Sequence, residues 1–247
     1  MKSAMNELTV YPFNDRILPV PKAGGYDLSN LLKKTTLGQQ IAAILRENII
    51  KGTYAQGEHL IEEELARKFE VSRATIREAL RLLETEGLLD REINKCTYVH
   101  RLSAKEIKGL FSMRILLERE AISRCVENQC IPSDVILNCI DRMKFCMENG
   151  SNDWDAHLQA DMAFHTSVIN ANDNIYIRKC WELIASQYKM AMYIIRALYA
   201  KAFLGTYQEH QRIYEQLMEG NTQPWIAHLE NLKADVDKII REGNIGN

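Results

Sequence analysis

Residues 57–89 read GEHLIEEELARKFEVSRATIREALRLLETEGLL, two amphipathic helical patterns joined by a tight turn at Glu70-Val71. Ser72 precedes the second pattern and is a residue type that caps helix N-termini, and Gly87 ends that pattern. The apolar side chains of the second pattern recur on one side of a helix: Ile76, Ala79, Leu80 and Leu83. This stretch predicts a helix-turn-helix.

The flanking segments extend the prediction to a winged helix-turn-helix. Residues 37–52 (LGQQIAAILRENIIKG) predict an earlier helix that stops at Gly52. Residues 88–99 (LLDREINKCTYV) predict two short strands around a polar tip at Asn94-Lys95. Three helices followed by a two-stranded hairpin form a winged helix-turn-helix.

The remainder of the chain predicts a second, all-helical domain. Ser103 and Glu106 form a capping-box pattern that starts a new helix. Residues 104–247 contain helical stripes for about six or seven helices and no convincing strand. We therefore predict a mainly α fold: an irregular extension over residues 1–35, a winged helix-turn-helix over residues 36–103 and an all-α helical bundle over residues 104–247.

Composition limits the class of protein. The chain has 247 residues, 46% of them hydrophobic, and a net charge of −2, which permits a large core and argues against a generally basic coat for nucleic acid. No apolar run reaches the ~18 residues that a membrane span needs, and no export signal begins the chain. The six cysteines include no CxxC pair. We expect a soluble cytoplasmic protein with free thiols and no membrane partner.

A local basic surface lies on the predicted second helix of the helix-turn-helix. Arg73, Arg77 and Arg81 recur every four residues on its outward side. Arginine can donate two hydrogen bonds to guanine, so Arg73 and Arg77 are candidates for reading bases. Thr75 is a candidate for a phosphate or base-edge contact, and Lys95 for the DNA backbone or minor groove. The alternative is a solvated helix with ion pairs four residues apart.

Four polar residues lie on the inward sides of three predicted helices. Asp161 and His165 share the apolar side of one helix, while His210 and His228 each align with the apolar stripe of a later helix. An unpartnered buried carboxylate is costly, so the four groups are expected to converge. Imidazole nitrogen and carboxylate oxygen suit a divalent transition metal. A His–Asp hydrogen-bond network with water, or a polar ligand pocket without metal, stays open.

The stretch from residue 37 to residue 100 resembles the amino-terminal domain of GntR-type bacterial transcription regulators. The resemblance rests on the segments VSR (residues 71–73) and REALR (77–81), on the LL (82–83) and GL (87–88) pairs that follow, and on the wing that ends in TYV (97–99). Two positions depart from the family pattern: Gln56 stands where a proline is usual, and Cys96 stands where the wing often has glycine. The resemblance implies binding to double-stranded operator DNA.

Residues 104–240 resemble the FCD-type effector domain of the FadR branch of this family. That domain has an aspartate and a histidine four positions apart and one histidine in each of two late helices, and this chain has all four: Asp161, His165, His210 and His228. The RILLE segment, with Arg114 and Glu118, also matches. The resemblance implies a metal held by the four residues, for which zinc is the first choice and nickel and manganese are the alternatives.

The two resemblances together imply a DNA-binding transcription regulator, not an enzyme. A small-molecule effector, expected to be an organic acid, would bind beside the metal, with Arg114 and, as a weaker candidate, Arg196 as anchors for its carboxylate. For Arg114 an ordinary core or surface salt bridge is an equal alternative. A homodimer would present two winged helices to a palindromic operator. Two alternatives remain: a regulator that senses the metal itself, and a metal-dependent hydrolase.

Overall fold

Helices dominate the part of the chain that the structure describes. The computed structural model describes residues 35–92, 96–148, 153–198 and 205–243. Within these ranges the helices are α1 (Leu37–Ile50), α2 (Glu62–Phe69), α3 (Arg73–Thr85), α4 (Ala104–Glu127), α5 (Ser133–Glu148), α6 (Trp154–Ala171), α7 (Ile175–Leu198), α8 (Tyr207–Met218) and α9 (Gln223–Glu242). The strands are β1 (His59–Leu60), β2 (Leu89–Arg91) and β3 (Thr97–Val99). The mainly α fold is confirmed, and the predicted extension over residues 1–35 falls almost wholly outside the described residues.

Local signals set the turn between α2 and α3. Glu70 takes the left-handed conformation (φ 55°, ψ 41°), and its N–H bonds the carbonyls of Ala66 and Arg67, which ends α2. The Ser72 hydroxyl accepts a hydrogen bond from the Thr75 N–H at 3.2 Å and caps α3. These contacts produce the predicted helix-turn-helix.

The sheet of the wing has one more strand than the sequence predicts. Its order is β1-β3-β2 and both pairs are antiparallel, with His59 opposite Tyr98 and Leu60 opposite Thr97. The prediction of two strands was incomplete because β1 has two residues, too few for an alternating pattern to appear. The added strand covers the outer edge of β3.

The carboxy-terminal part is a bundle built around α4. The predicted capping box is present: the Glu106 N–H donates to the Ser103 hydroxyl, and the Ser103 N–H donates to Glu106 Oε2 at 2.8 Å. Helix α4 packs against α6, α7 and α9. None of the six cysteines, all of which the structure describes, forms a disulfide. None of the described helices is long and apolar enough to cross a membrane.

The winged helix packs directly on α7 of the bundle. Leu83 and Leu88 belong to the same buried cluster as Tyr188 and Met192. The sequence stripes predict that each helix has a buried side, and only the tertiary structure shows that α7 contacts the winged helix.

Candidate functional site

The predicted base-reading arginines lie on the exposed side of α3. Their side chains are 56% and 54% exposed, and they form ion pairs with α2: Arg73 Nη2 is 2.6 Å from Glu63 Oε2, and Arg77 Nε is 2.7 Å from Glu62 Oε2. The pairs thus run between two helices and not along one. Exposed pairs of this kind contribute little to stability, about 0–1 kcal/mol, so DNA phosphates can compete for these arginines.

Of the other two residues predicted to contact DNA, the structure describes Thr75 and not Lys95. Thr75 is half-buried at the start of α3, where its hydroxyl is 2.8 Å from that of Ser72 and so belongs to the helix cap. Lys95 lies outside the described residues.

The structure brings the four predicted metal ligands together from three helices. Asp161 and His165 lie on successive turns of α6, and His210 and His228 lie near the starts of α8 and α9. All four are buried, and one ligand atom from each lies within 4.8 Å of the others. Asp161 Oδ1 is 3.2 Å from His210 Nε2 and 3.8 Å from His165 Nε2. The convergence expected from the helical stripes is therefore present.

Each histidine of this cluster has an acceptor at its Nδ1 atom. The partners are Glu118 Oε2 for His165 at 2.6 Å, the Thr206 carbonyl for His210 at 2.9 Å, and Glu209 Oε1 for His228 at 2.8 Å. Carbonyl and carboxylate oxygens only accept, so each Nδ1 donates and each neutral ring keeps its lone pair on Nε2. Outer partners of this kind orient histidines that bind metals.

The inner atoms of the cluster lack partners. The Nε2 atoms of His165, His210 and His228 and the Oδ2 atom of Asp161 are buried and make no hydrogen bond with any residue that the structure describes. Buried polar atoms are nearly always satisfied, and leaving one unsatisfied costs about 1–3 kcal/mol. Four such atoms, one from each residue of a single buried cluster, indicate that the cluster is built for a bound group.

Electrostatics favour a neutral His165 and an ionised Asp161, the forms in which these two residues could bind a metal. Burial, followed by the nearby Arg114 charge, lowers the pKa of His165 to about 4, so this ring is neutral at pH 7. Burial alone would raise the pKa of Asp161, but its contacts with His165, His210 and Arg114 outweigh burial and lower it. For His210 burial lowers the pKa, but the neighbouring Asp161 carboxylate, 3.2 Å from its Nε2, outweighs burial and raises the pKa above its usual value.

The donor set and its spacing fit a divalent transition metal. Three imidazole nitrogens and one carboxylate oxygen bind such ions at about 2.0–2.2 Å, which separates opposite ligands by about 4.0–4.4 Å. The 4.8 Å limit of the cluster exceeds that separation by only about half an ångström. The cluster could therefore hold one metal ion, and the residues that would hold it are Asp161, His165, His210 and His228.

Gly205 brings backbone against the cluster. A Cβ atom added there would lie 2.7 Å from His228 Cε1 and 2.9 Å from His210 Cε1. The Gly205 carbonyl lies 3.2 Å from His157 Nε2. Any larger residue at this position would displace two of the candidate ligands.

Glu118 is the residue whose importance the sequence did not reveal. It is fully buried, and its two carboxylate oxygens accept from His165 Nδ1 at 2.6 Å, Trp225 Nε1 at 2.8 Å and Arg114 Nε at 2.6 Å. Burial alone would raise the pKa of Glu118, but the contacts with His165 and Arg114 lower it to about 2. Its inward position four residues after Arg114 was the available signal, because its partners lie far away in sequence.

The two arginines predicted as effector anchors have different surroundings. Arg114 is 1% exposed; Nε and Nη1 donate to Glu118 and to the Tyr188 hydroxyl, while Nη2 makes no hydrogen bond with the described residues. Arg196 stacks its guanidinium on Trp154, 4.5 Å from the ring centre. The structure therefore links Arg114 to the cluster through Glu118, and it gives Arg196 an aromatic partner instead.

Comparison with known proteins matches both parts of the chain. Residues 37–99 match the family described as "Bacterial regulatory proteins, gntR family", and residues 109–232 match the "FCD domain". The HTH-type transcriptional regulator YdhC of Bacillus subtilis (strain 168) is 26% identical over 81% of this chain and 90% of its own length. The gluconate operon transcriptional repressor of the same organism is 32% identical over 61% of each chain.

A solved structure supports the same fold. A GntR transcriptional regulator from Rhodococcus sp. RHA1 superposes with a TM-score of 0.69 at 24% identity, over 82% of this chain and 98% of that one. These relatives are transcription regulators and not enzymes, as the sequence predicts. With the FCD match covering half of the chain and the winged helix matching separately, the protein belongs to the GntR family of bacterial transcription regulators that carry an FCD domain.

Proposed function

We propose that this regulator binds operator DNA through residues 36–103, and that a small carboxylate held beside a divalent metal in residues 104–247 modulates this binding. Zinc is our first choice of metal, with nickel and manganese as alternatives. The observation that carries the proposal is the buried cluster of Asp161, His165, His210 and His228, which brings one ligand atom from each residue within 4.8 Å of the others and leaves polar atoms of all four without hydrogen bonds to the described residues.

The carboxylate class of the effector is supported by Arg114. Its Nη2 is a buried cationic donor without a partner in the described residues, and its guanidinium is joined through Glu118 to the ligand His165. A guanidinium pairs well with a carboxylate because both are planar and can form two hydrogen bonds. The similar Bacillus subtilis repressor is named for a gluconate operon, and gluconate is such an acid. Arg196 remains a weaker candidate anchor.

On the DNA side, we propose a homodimer that places one winged helix on each half of a palindromic operator. Arg73 and Arg77 would contact base edges, Thr75 a phosphate or base edge, and Lys95 the DNA backbone or minor groove. Binding of the effector and binding of the operator would then influence each other by the same coupling free energy.

The first test of this proposal measures metal content and metal uptake. Elemental analysis of the purified chain is expected to find close to one divalent ion per chain, and a metal-free sample should regain one by titration. His210→Ala removes one of the four proposed ligands and should weaken uptake at least about tenfold, since even the loss of a ligand's hydrogen-bond partner costs about 10–100-fold. His59→Ala, an exposed histidine stacked on Tyr98 in the wing, is the matched control and should take up metal as the parent does.

The second half of the test identifies the effector and the signal. The operator is first obtained by sequencing genomic fragments that the protein captures. Small carboxylates, including gluconate, are then compared with their amides for their effect on operator affinity of the metal-loaded protein. A carboxylate effect that the amide lacks supports the proposal. A metal that exchanges readily and alone changes operator affinity would favour the metal-sensing alternative, and a chain that takes up no metal would refute both.

A further inference from the structure

The candidate metal site is joined to the centre of α7 by an unbroken chain of buried contacts. His165 Nδ1 donates to Glu118, Glu118 accepts from Arg114, and Arg114 Nη1 donates to the Tyr188 hydroxyl. The Arg114 guanidinium also lies over the Tyr188 ring, 4.7 Å from its centre. We call His165, Glu118, Arg114 and Tyr188 the buried relay; each of the four is at most 1% exposed.

The residues beside Tyr188 on α7 contact the winged helix. Ser186 donates to Glu86 Oε2 at 2.8 Å, and Gln187 Nε2 donates to the Glu86 carbonyl at 3.1 Å. Lys189 Nζ lies 2.9 Å from Glu47 Oε1 on α1. The relay therefore ends within one helical turn of the side chains that hold the DNA-binding domain.

Glu86 is the residue of the winged helix that accepts the hydrogen bonds from Ser186 and Gln187. It follows the last residue of α3, and its carboxylate also takes two hydrogen bonds from Arg46 of α1, at 2.6 and 2.5 Å. Next to it, Gly87 has φ +69°, and a Cβ added there would meet the Gln187 amide 1.8 Å away. The end of the recognition helix thus lies directly against α7.

We propose that the buried relay transmits occupancy of the metal and effector site to the end of the recognition helix, through Tyr188 and its neighbours on α7. A cation bound at Nε2 of His165 fixes the direction of that ring and hence of its Nδ1–H. The Glu118 side chain must shift together with this N–H, because a Glu118 that moved away would leave a buried carboxylate and a buried guanidinium unpaired. Arg114 and Tyr188 are then held in one position, and α7 holds Glu86. The inference rests on the proposed function, because it needs a metal at the cluster.

The competing interpretation treats the relay as an ordinary buried ion pair that only stabilises the bundle. Both interpretations expect stability to fall when the relay is broken, so stability cannot separate them. They differ in whether metal binding at the cluster changes the opening of the backbone hydrogen bonds at Glu86. A measurement at Glu86 with and without metal is therefore the decisive one.

The experiment follows amide hydrogen exchange of the full-length, metal-free protein with and without added Zn²⁺. The N–H groups of Glu86, Gly87 and Leu88 bond the carbonyls of Leu82, Glu84 and Leu83, so their exchange reports opening at the end of α3. In the parent, Zn²⁺ should slow exchange at residues 86–88 by at least about fivefold, the lower end of typical coupling between sites. In Tyr188→Phe the slowing should fall below about twofold, while zinc affinity, measured by calorimetry, stays within about twofold.

Two further variants keep the test decisive. Tyr193→Phe makes the same change on the same helix but outside the relay, where the hydroxyl bonds Asp155, and it should keep the zinc response. The double variant Ser186→Ala, Gln187→Ala leaves the buried relay intact and removes its contacts with Glu86, so it should lose the response and keep zinc affinity. The double variant still tests the proposal if Tyr188→Phe fails to fold.

Three results are informative. Loss of the response in Tyr188→Phe or in the double variant, with retention in Tyr193→Phe, supports the relay. If the parent binds Zn²⁺ but exchange at residues 86–88 does not change, or if the change survives in both Tyr188→Phe and the double variant, the relay is refuted and the proposed metal site is not. If the parent binds no Zn²⁺, the proposed function is refuted and the relay with it.

Discussion

Glu118 accepts hydrogen bonds from three side chains of three different helices. These bonds fix the orientation of the side chains around the candidate metal site. His165 needs an acceptor for Nδ1–H, Trp225 needs one for Nε1–H, and Arg114 needs a counter-ion. One ionised carboxylate meets all three needs in a position without access to water. Asp161 and His165 were predictable from their spacing on one helix, whereas the role of Glu118 depends on partners 47 and 107 positions away.

Replacing Glu118 tests this role at the scale of a single residue. Glu118→Gln leaves the Arg114 charge buried without its counter-ion, so we expect unfolding free energy to fall by about 3–5 kcal/mol. Metal affinity should fall about 10–100-fold because His165 loses its orienting partner. Denaturant titration and metal titration measure the two effects. Glu120→Gln, on the same helix in an exposed pair with Arg124, should change stability by less than about 1 kcal/mol.

Helix ends and turns explain why the DNA-binding element has the shape that its sequence predicts. The Ser72 cap, the left-handed Glu70 and the positive φ of Gly87 are local features, each set by contacts within a few residues. The strand β1 was not predicted, because a two-residue strand is defined by its partner β3 and not by a pattern of its own. The ion pairs of Arg73 and Arg77 with α2 likewise required the angle between two helices.

Substitution of Arg73 and Arg77 tests the proposal that α3 contacts DNA. Arg73→Ala and Arg77→Ala should each reduce operator affinity by about 1–3 kcal/mol, because each would lose a base contact. Folding should change little, since both side chains are exposed and their pairs with Glu63 and Glu62 are weak. Fluorescence anisotropy with the captured operator measures the effect. Arg119→Ala, an exposed arginine of α4 paired with Glu230, is the control, and an unchanged operator affinity in both recognition-helix variants would rule out the assignment.

At the scale of the whole molecule, one buried cluster runs from the winged helix into the bundle. It includes Leu45 and Leu83 on one side and Phe111, Tyr188 and Ile195 on the other. A second cluster fills the part of the bundle that surrounds the candidate metal ligands and includes Phe164 and Trp225. Metal binding at the cluster should therefore stabilise the folded chain, because the unfolded chain does not hold the four ligands together.

Thermal unfolding tests this stabilisation. Zn²⁺ at about 100 times its dissociation constant should add about 2.7 kcal/mol, and about 2–4 °C per kcal/mol for a chain of this size gives a rise of about 5–11 °C in Tm. The rise should depend on Zn²⁺ concentration and disappear in His228→Ala. Calorimetry of metal-free protein with stepwise additions makes the measurement. An equal rise in His228→Ala and in the parent would show that Zn²⁺ acts elsewhere.

The sequence by itself determined the helix-turn-helix, the helical bundle and the four candidate ligands, because caps, turns and apolar stripes act over a few residues and can be read along one helix. Only the tertiary structure decided that the four ligands converge, that Glu118 orients His165, and that α7 carries the winged helix. Those features join residues between 47 and 142 positions apart, such as Glu118 with His165 and Glu47 with Lys189. Their contacts depend on how whole helices pack, and no local pattern records that packing.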